Sequence, residues 1–242
     1  MKVSVVIPAL NESSAIVNCV KSAIRAGADE IIVVDGGSTD DTREQAKSAG
    51  ARVTSAAKGR ATQQNAGATL ATGEVVLFLH ADCMIGRKCI SQIRDAMQSS
   101  KFDFGCFRQR IVAMGAKYRA LEFGNDLRAR ILRLPYGDQG IFVRKKLFED
   151  IGGFPEYRLM EDLIMIDRLR RSKESIMLQG PVEVSPRRWQ KNGVAFQTLK
   201  NLLFAFAWRL GVHPDLLAKY YPVHKHIAPR SPRSKTESTT PG

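Results

Sequence analysis

No stretch of the chain runs to about 18 uninterrupted apolar residues, the length a membrane-crossing helix requires, so no such helix is expected. The apolar run at the N-terminus, MKVSVVIPAL, is too short for a secretory signal and is stopped by Pro8. It reads as a first buried strand, and the chain is placed in the cytoplasm. Cysteine is scarce. Cys19, Cys83, Cys89 and Cys106 have neither zinc-like nor redox-like spacing, so they read as small packed residues rather than ligands. There is no G-x-G-x-x-G after the first strand, which disfavours a dinucleotide fold, and no G-x-x-x-x-G-K-[ST], which removes the P-loop.

What is present is a hydrophobic fraction of 44% in 242 residues, enough for one α/β domain with a full core or for two small ones. The formal net charge of +13 invites a nucleic-acid reading, but its distribution argues against one. Residues 1–100 carry 11 basic and 10 acidic side chains, whereas residues 101–148 carry 11 against 4 and residues 223–242 carry 4 against 1. An excess confined to a middle segment and a tail suits an acidic ligand, a phosphorylated acceptor or an anionic membrane surface as well as RNA.

The first hundred residues alternate strand and helix. VSVVIPA is apolar without alternation, as in a sheet covered on both faces. In NESSAIVNCVKSAIRAG, the residues Ile16, Cys19, Val20, Ala23 and Ile24 form one helical face, with Asn11 or Ser13 as the expected cap and Gly27 as the stop. EIIVVDGG, ARVTSA and EVVLFLHAD read as further strands, separated by helices over STDDTREQAKSAG and KGRATQQNAGATLATG. This rhythm predicts a mostly parallel sheet with helices on both faces. Asp35, Arg60 and Asp82 all fall just after a strand or in a strand-to-helix loop, where open α/β sheets bind ligands.

The second half mixes strand (FDFGCFRQRIV), a basic amphipathic helix (AKYRALEFGNDLRARILRL), the segment GDQGIFVRKKLFEDIGGF and the helix MEDLIMIDRLRRS, with Leu163, Ile166 and Leu169 inward. VAFQTLKNLLFAFAWRLGV is the most apolar helix and reads as core or partner-facing. With the basic helix it offers a peripheral contact to the inner face of the cell membrane. The segment 223–242 has almost no apolar content and is expected to be a disordered basic tail.

Taken alone, Asp35 and Ser38 in VVDGGSTDDT shape a turn and cap a helix. Taken together, VSVVIPALNE, VVDGGSTDDT, GRATQQNAGA, LFLHAD and GGFPE followed by MED resemble glycosyltransferase family 2, in order and over roughly positions 3–170. The resemblance implies a glycosyltransferase A fold in a single domain over 1–222. Residues 1–100 would be the nucleotide-binding half, and 101–222 the acceptor half with a C-terminal helical extension. It implies inverting transfer of a sugar from a nucleotide-diphosphate donor, UDP favoured, to a hydroxyl acceptor that is soluble or lipid-linked, aided by Mg²⁺ or Mn²⁺.

Carried over position by position, the resemblance assigns Pro8, Ala9 and Glu12 to the base and ribose, and Asp35 to the nucleoside. The family often has a second acid where this chain has Gly36. Arg60 and Asn65 match the loop over the nucleotide, and Asp82 the acid that binds metal. His80 stands where many members have the first acid of D-x-D, and a bacterial branch carries H-A-D there. Its alternatives are a hydrogen-bonded strand-end histidine, a ribose contact or a metal ligand. Glu161 and Asp162 match an acidic pair at a helix start, with Asp162 the expected general base. Otherwise the two acids only stabilise that helix. Asp138 and Gln139 are expected to hold acceptor hydroxyls or to form a polar turn. One of the paired arginines Arg187 and Arg188 is expected to clamp a diphosphate, and Trp189 beside them could cover a sugar or base.

Two rivals remain at this level. A non-catalytic nucleotide-sugar binder is suggested by His80 and Gly36. A basic nucleic-acid-binding protein would need aromatics interleaved with basic residues, which 101–148 lacks, so no nucleic-acid partner is expected.

Overall fold

The computed structural model describes residues 1–220, so the expected basic tail lies outside the described residues. The apolar runs of the first half become β1 (Val3–Ala9), β2 (Glu30–Asp35), β3 (Arg52–Ser55) and β4 (Val75–Phe78), which are parallel neighbours. The second half adds β5 (Cys83–Ile85), β6 (Phe102–Ile111), β7 (Ile141–Arg144) and β8 (Glu174–Val184). The eight strands form one sheet in the order β3-β2-β1-β4-β7-β6-β8-β5. β7 runs antiparallel to β4 and β6, β8 runs parallel to β6, and β5 is antiparallel to β8.

The helices are α1 (Ile16–Arg25), α2 (Thr42–Ser48), α3 (Arg60–Leu70), α4 (Cys89–Gln98), α5 (Ala116–Ile131), α6 (Lys145–Asp150) and α7 (Glu161–Ser172). They are followed by α8 (Arg187–Asn192), α9 (Val194–Arg209) and α10 (Pro214–Tyr220). The strand period of two sorts β1 between two cores. Val3, Val5 and Ile7 pack with Ile16, Val20 and Ala23 of α1, whereas Val6 points the other way, toward Ala61 and Ala68 of α3. Each fully buried aliphatic side chain contributes about 1.5–3 kcal/mol relative to exposure, so slipping β1 by one residue would exchange both sets at once. Leu163, Ile166 and Leu169 of α7 are buried, as their spacing predicts.

Three local expectations change. Neither Asn11 nor Ser13 caps α1, which begins only at Ile16 without a side-chain cap. Asn11 adopts a left-handed φ of 55°, and its Oδ1 accepts from the Thr39 amide at 2.8 Å, so the expected cap instead ties two strand-end loops together. β4 stops at Phe78, because the chain turns at His80, whose carbonyl accepts from the Cys83 amide at 3.0 Å. α9, the most apolar helix in sequence, is not core: its one buried residue is Gln197.

Candidate active site

The sheet delivers its polar residues to one edge. Pro8 and Ala9 end β1 and Asp35 ends β2, paired in register as Ala9 with Asp35. Asp35 is buried, and its carboxylate accepts from the amides of Gly37 and Ser38 and from Arg43. Gln63 of α3 donates its Nε2 to the carbonyls of Ala9 at 2.8 Å and Val34 at 2.7 Å, locking the two strand ends. A Cβ at Gly36 would lie 2.9 Å from Gln63 Oε1. The glycine that replaces the family's second acid therefore faces a space already filled by Gln63.

The turn after β4 carries His80 and Asp82. His80, Asp82 and Cys83 form a group whose candidate ligand atoms all lie within 4.8 Å of one another. Burial, with Arg60 and Arg188 nearby, holds the His80 imidazole down to about 4 against the pull of Asp82 and Asp162, so the ring is neutral at neutral pH. Burial by itself would raise the Asp82 carboxyl. His80 and Arg187 outweigh it, and the group sits below the usual carboxylate range. The Cys83 thiol is pushed well above its ordinary value by burial, with Asp82 adding to the effect, so it stays protonated. One ionised oxygen ligand and one neutral nitrogen suit a hard divalent cation that draws its other ligands from phosphates and water.

Across the site, α7 begins with Glu161 and Asp162. Its entry residue, Met160, is held at a left-handed φ of 67°, an uncommon conformation for a non-glycine residue. Asp162 Oδ2 accepts from the Gly137 amide at 2.7 Å and Oδ1 from the Leu163 amide at 2.8 Å. A Cβ on Gly137 would lie 2.9 Å from His80 Nε2 and 3.1 Å from Asp162 Oδ2. Imidazole and carboxylate thus meet at one point. Glu161 is buried and receives a hydrogen bond from Arg60 at 2.8 Å. Burial raises its carboxyl, Asp162 adds to that, and Arg60 opposes it.

Arg187, at the start of α8, reaches Asp82 Oδ2 at 3.2 Å and Glu12 Oε2 at 3.3 Å. Arg188 is half-buried and acts electrostatically on His80, Asp82 and Asp138. Burial raises the Asp138 carboxyl, and Arg188 and Arg128 partly offset the rise.

Three expected site residues have their polar or aromatic groups committed elsewhere. Asn65 exchanges two 2.9 Å hydrogen bonds with the Phe154 backbone, fastening α3 to the loop before α7. Gln139 is fully buried; it accepts from Tyr136 N and Arg128 and donates to the Phe107 carbonyl. Trp189 is buried in the core beneath α8. Conversely, Gln63, Gly137 and the Arg128–Tyr136 stack, with the guanidinium 3.4 Å from the ring centroid, have no periodic signal in the sequence. Only the tandem glutamines of GRATQQNAGA pointed toward Gln63.

Residues 4–158 match the family described as Glycosyl transferase family 2. Over 94 residues the chain is 37% identical to glucosyl-3-phosphoglycerate synthase of Mycobacterium tuberculosis (strain ATCC 25618 / H37Rv), covering 33% of this chain and 28% of that relative. The synthase of Mycolicibacterium smegmatis (strain ATCC 700084 / mc(2)155) matches at 37% as well, over 33% of this chain and 30% of its own. The chain therefore matches under a third of the length of these curated relatives. Among solved structures, S. aureus TarS 1-349 in complex with UDP-GlcNAc is similar with a TM-score of 0.63 at 20% identity, covering 76% of this chain and 58% of that one. Glucosyl-3-phosphoglycerate synthase from Mycobacterium tuberculosis in complex with Mn²⁺, UDP and glucosyl-3-phosphoglycerate gives 0.57 at 22% identity, covering 84% and 78%. These structural likenesses are of fold, the glycosyltransferase A fold expected above. With more than half of its length matched by the family, the chain belongs to glycosyl transferase family 2.

Proposed function

We propose that the protein transfers a sugar, with inversion, from a nucleoside-diphosphate sugar to the hydroxyl of an acceptor. The observation that carries this reading is the convergence of Asp82 and Asp162 on His80. One carboxylate comes from a strand end in the nucleotide half, the other from a helix start in the acceptor half. A displacement needs one group for the leaving diphosphate and another for the incoming hydroxyl, and the two carboxylates would supply them.

Asp162 is the general base. Its carboxylate is held by the Gly137 and Leu163 amides, which fix its orientation. Glu161 is a weaker choice, because its carboxylate is buried against Arg60. Asp82, with neutral His80 beside it, would hold the divalent cation, Mg²⁺ or Mn²⁺. When bound, that ion neutralises charge on the departing diphosphate. Arg187 and Arg188 add fixed positive charge on the same side, and Asp138 accepts from acceptor hydroxyls. Pro8, Ala9, Glu12, Asp35 and Arg60 line the nucleotide side.

UDP is the favoured nucleotide, in keeping with the UDP-GlcNAc and UDP complexes of the two similar structures. The acceptor is a soluble or lipid-linked hydroxyl compound. The test is turnover of a panel of UDP-sugars, followed by mass spectrometry of the released nucleotide, together with Mn²⁺ binding by electron paramagnetic resonance. Asp162→Asn is expected to lower kcat about 100-fold or more while leaving donor binding intact. Asp82→Asn should abolish tight Mn²⁺ binding in the presence of UDP. Undiminished turnover in Asp162→Asn, or undiminished Mn²⁺ binding in Asp82→Asn, would overturn the corresponding assignment.

A further inference from the structure

α9 is inside out. Its exposed side carries Phe196, Leu199, Leu203, Phe206 and Leu210, spaced by three and four and each 56–70% exposed. Its inward side carries polar residues: Asn192 of α8 donates to Gln197 Oε1 at 2.7 Å, and Gln197 donates to Asn201 Oδ1 at 2.8 Å. Gln197 is 2% exposed. A helix stabilised only by its own fold would turn these two faces the other way.

α5, which packs against α9, repeats the inversion. Phe123, Leu127 and Ile131 recur every four residues on its exposed side, whereas Asn125 and Asp126 are buried. Asn125 donates to Gln109, and Asp126 pairs with Arg108 at 2.7 Å. Scattered exposed leucines are ordinary in soluble proteins. Two adjoining helices that both expose an apolar stripe and bury their amides are not.

The charge around this face selects its occupant. α9 contains no acidic residue, and the two acids of α5, Glu122 and Asp126, are each paired with an arginine. Exposed Lys117 and Arg130 on α5 and Arg209 on α9 add positive charge to the same two helices. A second copy of the chain would bring the same sign, on a molecule of net charge +13, against them. An anionic bilayer supplies what both parts of the face need: an apolar layer for phenylalanine and leucine, and negative headgroups for lysine and arginine. Among the described residues no helix is long and apolar enough to cross a membrane, so the contact lies in the plane of the interface.

We infer that the α5–α9 face docks the protein on an anionic lipid surface. α8, which carries Arg187 and Arg188, joins α9 through Gly193 alone. The docking face therefore adjoins, along the chain, the helix that carries Arg187 and Arg188 of the candidate site. The inference stands on the two helices and does not depend on the transfer reaction.

The experiment is co-sedimentation of the full chain with extruded vesicles of phosphatidylcholine alone and of phosphatidylcholine mixed with phosphatidylglycerol. Binding is expected to the mixed vesicles, at least about tenfold tighter than to phosphatidylcholine alone and weakening as salt is raised. The double variant Leu203→Ser with Phe206→Ser changes only exposed positions, and circular dichroism should show it folded. It is expected to lose most of the binding. Three results would overturn the inference. These are recovery of the protein in the supernatant with both vesicle types, unchanged binding by the folded double variant, and a stable dimer in light scattering that the double variant converts to monomer without any vesicle binding. Unchanged binding by that variant would place lipid attachment on another part of the chain, and the dimer result would make a second copy the occupant.

Discussion

Arg60, at the first turn of α3, donates to Glu161 Oε1 at 2.8 Å and so joins α3 to the helix that presents Asp162. The glutamate is buried and the arginine about half exposed. Removing the arginine leaves a buried carboxylate without this cation, which costs far more than losing a surface pair. Arg60→Ala is expected to lower stability by about 1–3 kcal/mol, and Arg60→Ala combined with Glu161→Gln to recover most of it. Denaturant unfolding checks both.

The same pair sets a pH dependence. Burial raises the Glu161 carboxyl in the folded protein, so the folded state binds this proton more readily than the unfolded chain. The unfavourable contribution is therefore absent well below the unfolded pKa, and it grows as pH rises through the folded one. Without Arg60 the folded carboxyl moves higher still, because the guanidinium is what opposes the rise. The stability deficit of Arg60→Ala should be larger at pH 8 than in mild acid. A deficit that grows on acidification would contradict the assignment.

Arg187 approaches Asp82 Oδ2 at 3.2 Å while also reaching Glu12, so it would compete with the proposed divalent cation for the Asp82 carboxylate. Its removal should act in opposite directions on two ligands. In Arg187→Ala, Mn²⁺ alone should bind more tightly, because a competing positive charge is gone. UDP should bind about tenfold more weakly, the value of one charge-assisted hydrogen bond. Titration calorimetry reads both. Weakening of both ligands together would mean that Arg187 organises the Asp82 loop rather than competing at it.

Much of this architecture is legible in the sequence because it follows from local pattern. The non-alternating runs around Val5, Ile32 and Leu77 become covered strands, and acids that follow such a run or start a helix, Asp82 and Asp162, arrive near His80. What is not legible depends on which distant backbone a side chain meets. Asn65 and Gln139 match expected ligand positions, yet the Phe154 and Phe107 backbones claim their amides. Gln63 looks like an ordinary helix residue until β1 and β2 are brought together beneath it. The missing cap at Asn11 has the same origin, since the amide of Thr39, from another loop, satisfies its oxygen.

Gly137 lies where the two halves of the site touch. A methyl group there would press on His80 Nε2 and Asp162 Oδ2, both at the ends of side chains that can move. The fold should therefore tolerate Gly137→Ala within about 1 kcal/mol. The geometry should not, because displacing the proposed base by part of an ångström would cost on the order of 10–100-fold in rate. Kinetics beside thermal unfolding should show kcat falling while the melting transition stays in place. An equal loss of both would make Gly137 a packing position only.

Gly67 is the converse case, in which the fold itself needs the missing Cβ. It lies within α3, where alanine would improve helix propensity by about 1 kcal/mol. α3 crosses β1 and β2 so closely that the added carbon would fall inside the van der Waals envelope of Val6 Cγ1 and 3.0 Å from Val34 Cγ2. Both valines are fully buried β-branched residues in the sheet, with little freedom to turn aside. Overpacking of this kind costs about 1–3 kcal/mol and outweighs the propensity gain. Gly67→Ala is thus expected to be destabilising in denaturant unfolding, and Val6→Ala in the same chain should restore part of the loss by opening the space the methyl needs. Stabilisation by Gly67→Ala alone would show that α3 can lift from the sheet, and that the Gln63 bridge to Ala9 and Val34 can stretch with it.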